Sequence, residues 1–252
     1  MKLLQRLLPV ALAALIGISL NVSPAVAESA KSSAELEARM KPYKARYRVG
    51  YKAIPGGEIE ASFRPGPEPG IWIYESRAFP NLLGRVIVSS AALERSTMEI
   101  TERGVRPLSL DFNDGSDDKA DDIRLAYDWS RNRVSGEVNG APFDQTIEPG
   151  TQDTASVQAA MITELLAGRS PTGFPILTGK KLRDYRYWQD KTERVQTAIG
   201  EFDAGVWAST REGSKRIVKV WHVPELGYVP VKATQFLKDK PQVHMNIVSL
   251  DR

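Results

Sequence analysis

The chain contains no cysteine. That excludes a disulfide framework, a thiolate nucleophile, a cysteine-ligated metal and a lipid-modified cysteine. Histidine is almost as scarce, with His222 and His244 the only two. A zinc site draws three or four converging ligands, and neither histidine has a partner at ligand spacing, so no metal is expected. Excess charge of one sign is also missing. The formal net charge is +3, and removing Lys2 and Arg6 leaves 32 basic against 31 acidic residues. No basic tail or Lys/Arg stripe interleaved with aromatics is present, which excludes nucleic acid as an expected partner. Neither a phosphate-cradling glycine loop nor G-x-S-x-G, S-x-x-K or H-E-x-x-H occurs. No cofactor is expected, and nothing marks the chain as an enzyme.

The single long apolar stretch lies at the start. In "MKLLQRLLPVALAALIGISLNVSPAVAES", Lys2 and Arg6 precede an apolar run to about Leu20, and the small-residue triplet Ala25-Val26-Ala27 follows a polar break. This is the pattern of a signal peptide over residues 1–27, cleaved after Ala27, which predicts a periplasmic protein. The run falls short of the roughly 20 residues that span a bilayer. No later segment is apolar enough to serve as an anchor. Residues 28–42 are polar and rich in Ala and Ser and read as a flexible leader, although "SAELEARM" could wind into a short helix before Pro42.

From Tyr43 the apolar period becomes two. In "YKARYRVGYKA", Tyr43, Ala45, Tyr47, Val49 and Tyr51 share one face, and Lys44, Arg46, Arg48 and Lys52 the other. That alternation describes a strand with one wet face. "IPGG" reads as the next turn, "RPGPEPG" as a loop, and Glu212–Ser214 and Lys238–Lys240 as hairpin turns. "KLRDYRYWQ" and "ERVQTAIGEFDAGVWAST" read as two strands within a total of about ten to twelve. Residues 43–252 are therefore expected to form one large β-rich domain.

One segment breaks the pattern. In "GTQDTASVQAAMITELLAGR", Val157, Met161 and Leu165 recur at helical spacing, with Ile162 and Leu166 widening the stripe. Asp153 or Thr154 suits the N-cap and Gly168 the C-terminal stop. A sheet with one wet face has one dry face to cover. The expected architecture is a curved antiparallel sheet or open barrel with this amphipathic helix against its concave face. Such a stripe commonly serves as core, but a hollow between helix and sheet could also hold an apolar ligand. Its wall would draw on Val157, Met161, Leu165, Trp129 and Trp221.

Other chemistries have weaker support. Ser156 lies three residues after Asp153 in the first turn, where a capping pair is the ordinary reading and an activated hydroxyl the alternative. The acidic run from Asp111 to Asp122 fails the EF-hand register, since Leu110 and Phe112 would fall at ligand positions. Glu58, Glu60 and Glu75 lie on neighbouring strands, but strand-surface acids are ordinary and do not by themselves flank a sugar.

Taken in order, "YKARYRVGY" with Gly57, "GVRPLSLDF", "YDW", "DTASVQAA", "VQTAIGEF" and "VWHVPELGYVPVKA" resemble the exported bacterial proteins grouped as domain of unknown function 3108. The resemblance runs from about Tyr43 to near the C-terminus. It implies export and a mainly β fold, supplies no catalytic residues, and is similar at fold level to the open barrels of periplasmic lipoprotein carriers. Three functions follow as expectations. The first is non-enzymatic binding or carrying of an apolar or amphiphilic envelope molecule, a lipid or glycolipid. The second is an envelope scaffold that binds another protein through an exposed apolar patch or free strand edge. The third is a hydrolase of envelope glycan or lipid, which would need Ser156 or paired carboxylates to meet His222 or His244 in a cleft.

Overall fold

The computed structural model describes residues 33–84, 92–101, 103–116 and 121–252. Helix α1 (Ser33–Arg39) precedes eight strands: β1 (Tyr43–Tyr51), β2 (Ile54–Pro65), β3 (Ile71–Pro80), β4 (Leu93–Thr101), β5 (Gly104–Asn113), β6 (Ile123–Asp128), β7 (Arg133–Val138) and β8 (Ala141–Thr146). A two-residue strand, β9 (Gln152–Asp153), leads into helix α2 (Ser156–Leu166). Six long strands follow: β10 (Gly173–Thr178), β11 (Lys181–Thr197), β12 (Gly200–Arg211), β13 (Arg216–Val223), β14 (Val229–Leu237) and β15 (Lys240–Asp251).

All fifteen strands form one sheet in the order β8-β7-β6-β5-β4-β3-β2-β1-β15-β14-β13-β12-β11-β10-β9. β1 pairs with β15, so the two runs of hairpins on either side of α2 meet along the middle of the sheet. Every pairing is antiparallel except β9 with β10. The sheet is open, and α2 covers its concave face, packing on β3, β4 and β5. Among the described residues no helix is long and apolar enough to cross a membrane.

The period-two reading of β1 holds where it meets the core. Tyr43, Ala45 and Tyr47 are buried, and Lys44, Arg46 and Arg48 are exposed. Tyr51 departs from it because it stands at the strand's end, beyond the core, and is exposed. The first turn falls at Lys52 and Ala53, where Lys52 takes a left-handed φ of 53°. "IPGG" is therefore the start of β2, with its extra residue absorbed by a register shift opposite Val49 and Gly50. Asp190 is passed over at a register shift inside β11, which keeps Lys181–Thr197 one strand. The expected strand from Glu193 onward instead doubles back at Ala198–Ile199, where the Thr197 hydroxyl donates to the Gly200 carbonyl at 2.7 Å. The turns at Gly213 and at Lys238–Asp239 fall where expected, the latter pair both at positive φ as a tight hairpin requires.

Residues 33–39 are not a flexible leader. α1 docks through Leu36 and Met40, both buried in the main core. A Glu37 carboxylate oxygen accepts from the Gly70 N–H at 3.2 Å and from Trp72 Nε1 at 3.1 Å. A full leucine burial supplies about 1.5–3 kcal/mol, enough to hold a two-turn helix that would not persist alone.

α2 is buried almost all round, more than a one-sided stripe requires. Ala159, Ala160, Ile162 and Leu166 join the principal core, while Met161 and Leu165 pack with Trp207 in a second cluster. Thr163 is buried as well, and its hydroxyl donates back to the Ala159 carbonyl at 2.7 Å. Only small residues on this flank allow the helix to be enclosed on both sides. The helix ends in a Schellman turn, with Arg169 N–H on the Glu164 carbonyl, Gly168 N–H on the Leu165 carbonyl, and Gly168 at φ 74°.

Candidate functional site

The start of α2 is a buried polar knot. One Asp153 carboxylate oxygen accepts the N–H groups of Ala155 at 2.9 Å and Ser156 at 2.6 Å. In return the Ser156 hydroxyl accepts the Asp153 N–H at 2.8 Å. This reciprocal pair has the bonding pattern of a capping box, set just ahead of the helix, whose N-cap position is Ala155. The second Asp153 oxygen accepts from the Ser96 hydroxyl of β4 at 2.8 Å. Gln152 donates to the Val105 carbonyl of β5 at 2.9 Å, and the Thr154 hydroxyl contacts the Glu94 carboxylate.

Burial pushes the Asp153 carboxyl up, against the pull of its hydrogen bonds to Ser156, Ser96 and Ala155. Burial also raises Glu94 to about 7, with the Thr154 hydrogen bond opposing and the nearby Asp153 charge adding to the rise. The Tyr127 hydroxyl is buried with no hydrogen-bond partner among the described residues, and burial together with Asp153 makes it harder to ionise. Ser156 is fully buried and committed to the cap, so it offers no nucleophile to a cleft.

Beside this knot lies a cavity of about 310 Å³ between α2 and strands β10 to β13. Thr154, Val157, Gln158 and Met161 supply the helical wall, since positions three and four apart share a face. On the sheet wall, Val218, Val220 and His222 alternate along β13 and face Tyr185, Tyr187 and Trp207 from β11 and β12. The Tyr187 ring meets Phe174 edge-on at 5.2 Å. Burial and a hydrogen bond with Ser209 govern the Tyr187 hydroxyl, and burial, which dominates, raises it.

His222 is the cavity's one titratable nitrogen. Its Nδ1 lies 2.8 Å from the Tyr228 carbonyl, and burial holds its pKa down at about 4 despite that bond. It is therefore neutral at neutral pH and a weak base. Ser209 shares the cavity wall, but the ladder pairs Ser209 with Val218 and Gly205 with His222. Four residue steps, about 13 Å, separate the two, so they form no nucleophile–base pair.

Of the expected pocket residues, Val157 and Met161 line the cavity. Leu165 does not; it packs behind them against Trp207. Trp129 sits on the other half of the sheet, where its Nε1 donates to the Pro107 carbonyl at 2.7 Å and its ring stacks on Tyr127. Trp221 alternates with Val220 and His222 and so faces away from the cavity, buried, with Lys232 Nζ 4.4 Å over its ring. The expected wall holds Trp221 but neither Trp207 nor His222, which enters the sequence reading only as a metal ligand or catalytic base. The available signal was period two, since Val218, Val220 and His222 form a single face of "RIVKVWHV".

Asp111 and Asp122 line a small pocket of about 140 Å³ and Glu60 and Asp251 one of about 80 Å³, and neither histidine lines either. Glu58 and Glu60 pair with Arg46 and Lys44, and Glu75 with Arg95, along the sheet surface. His244 lies against Gly50, where a Cβ would stand 2.3 Å from its Nε2, so a larger residue there would have to displace the imidazole. Asp122 accepts from Asn113 and from the Asp114 N–H; the stretch 117–120 of the acidic run falls outside the described residues.

A family model described as "Protein of unknown function (DUF3108)" matches residues 81–245. No protein of curated function matches the chain. Among solved structures, the chain resembles a β-barrel-like protein of domain of unknown function DUF1849 from Brucella abortus. The two share 12% identity with a TM-score of 0.54, over 84% of this chain and 98% of that one. A candidate exported protein of YmcC-like fold from Bacteroides fragilis aligns at 10% identity and a TM-score of 0.38, over 84% of this chain and 97% of that one.

Proposed function

The chain belongs to the DUF3108 family of proteins of unknown function, and from that premise we propose that it is an exported, periplasmic binding protein that holds an apolar or amphiphilic envelope molecule. Residues 1–27 act as the signal peptide, removed after Ala27. The observation that carries the reading is the cavity beside α2. Its volume of about 310 Å³ falls at the small end of ligand-sized pockets. Its wall is aliphatic and aromatic with a few uncharged polar groups, the composition that selects an apolar ligand and orients it.

The test is native mass spectrometry of the protein purified from periplasm, followed by organic extraction. A lipid or glycolipid released in stoichiometric amount is the expected result and names the ligand class. A clean apoprotein mass across several growth conditions would sink the reading.

A second reading, docking of another envelope protein, draws on one feature. Tyr51, Ile54, Phe79, Leu82, Leu83 and Val243 are exposed apolar side chains. All lie near the same end of the sheet, since Tyr51 pairs with both Ile54 and Val243 and Phe79 pairs with Glu58. Clustered exposure of this kind marks interaction surfaces. Crosslinking in intact cells, lost on Leu82→Ser with Leu83→Ser, distinguishes this reading from the first.

A further inference from the structure

The cavity wall carries no acidic or basic side chain other than His222, which is neutral at neutral pH. A carboxylate, phosphate or ammonium drawn into it would lose its hydration with no counter-charge in return. The enclosed part of the ligand must therefore be uncharged.

Half of the eight polar side chains on the wall are already engaged, and among the described residues Tyr185, Trp207 and Gln158 have no side-chain hydrogen bond. The Thr154 hydroxyl contacts Glu94, the Thr178 hydroxyl donates to the Lys181 carbonyl at 3.3 Å, and Tyr187 is bonded with Ser209. His222 is different. A carbonyl oxygen can only accept, so the contact with Tyr228 O places the ring proton on Nδ1. Nε2 then keeps its lone pair and can only accept. Among the described residues no group engages Nε2 or the amide of Gln158, and both residues line the cavity.

We propose that the cavity takes an uncharged aliphatic chain bearing a hydroxyl group, which donates its proton to Nε2 of His222. The inference rests on the cavity-binding reading above and names the chemistry of its ligand. A hydroxyl both donates and accepts, so it suits His222 as donor and the Gln158 amide as acceptor. An ester or ether oxygen lacks the proton Nε2 requires. Val157, Met161, Val218 and Val220 flank the same space and suit the chain itself. An acceptor left unpaired beneath a bound ligand discriminates against one that lacks the hydroxyl.

The experiment compares two uncharged probes differing by one hydroxyl, the methyl esters of dodecanoic and β-hydroxydodecanoic acid, by calorimetric titration into delipidated protein. The hydroxylated ester is expected to bind about five- to tenfold more tightly. His222→Asn keeps a side-chain N–H for the Tyr228 carbonyl but removes Nε2, so it should abolish the preference while the plain ester still binds. Gln158→Leu, at a half-buried position on α2, should reduce the preference and decides the matter should the first variant melt early. Equal binding of the two esters, or a preference untouched by both substitutions, would overturn the hydroxyl inference and leave the cavity reading intact. Failure of both esters to bind at all would overturn the hydroxyl inference and the cavity reading together.

Discussion

The Ser96 hydroxyl on β4 donates to Asp153 at 2.8 Å, and neither residue is exposed to solvent. The bond ties one half of the sheet to β9, three residues ahead of the start of α2. β9 ends the sheet and pairs with β10 alone, so no backbone ladder closes the curl. Side chains take that role: Gln152 reaches the Val105 carbonyl, Asp153 holds Ser96, and Thr154 meets Glu94. The polar knot ahead of α2 is thus also the seam of the fold.

Removing Asp153 should cost more than a cap. Loss of an N-cap costs about 1 kcal/mol, and each buried donor left unpaired adds about 1–3 kcal/mol. Asp153→Ala is expected to lower the unfolding free energy by about 2–4 kcal/mol, and Asp153→Asn by clearly less. Urea titration measures both, and a loss under about 1 kcal/mol for the alanine variant would refute the seam role.

Glu94 predicts a pH dependence with a definite sign. Its pKa rises from an ordinary 4.5 to about 7 in the fold. Between those values the folded chain binds the proton more tightly than the unfolded chain does. The contribution is fully present below about 4.5 and is lost as pH climbs through 7, with a limiting slope of about 1.4 kcal/mol per pH unit. His222, lowered to about 4, acts oppositely, since its contribution is lost as pH falls through its unfolded value toward 4. The decisive comparison is therefore Glu94→Gln against the unmodified protein. The variant should gain stability at about pH 8 relative to about pH 5, and parallel urea midpoints would contradict the assignment.

Filling the cavity should separate binding from folding. Val220→Trp occupies the space beside His222 at a half-buried position. Retention of a co-purifying amphiphile is expected to fall by about tenfold or more while melting shifts little, because overpacking into an existing void adds less strain than overpacking a filled core. Undiminished retention, read by mass spectrometry of the extract, would place the ligand elsewhere.

α1 offers a stability contrast between two leucines. Leu36 is wholly buried and Leu82 is 81% exposed. Leu36→Ala should cost about 2–5 kcal/mol, and Leu82→Ala within about 0.5 kcal/mol. Equal midpoints would show that α1 does not belong to the folded core.

Local patterns were legible because they depend only on neighbours along the chain. The alternation of Tyr43, Ala45 and Tyr47, the left-handed turns at Gly213 and Lys238–Asp239, and the Asp153–Ser156 and Gly168 boundaries of α2 each follow from side-chain chemistry within a few residues. The β class, the curved sheet and the covering helix follow from those patterns by burial. Charge balance and the missing catalytic motifs likewise needed no coordinates.

What required the tertiary structure was everything set by contacts between distant segments. Only the β1–β15 pairing shows where the two runs of hairpins meet. Only packing shows that Leu36 and Met40 belong to the core, because a short helix with two apolar residues is not stable until a surface receives it. The choice between Trp221 and His222 as cavity wall depended on which face of β13 meets α2, and a strand's own sequence does not say which of two apolar faces turns inward. The bond from Ser96 to Asp153 crosses 57 positions of chain, and the curl of the sheet alone brings them together.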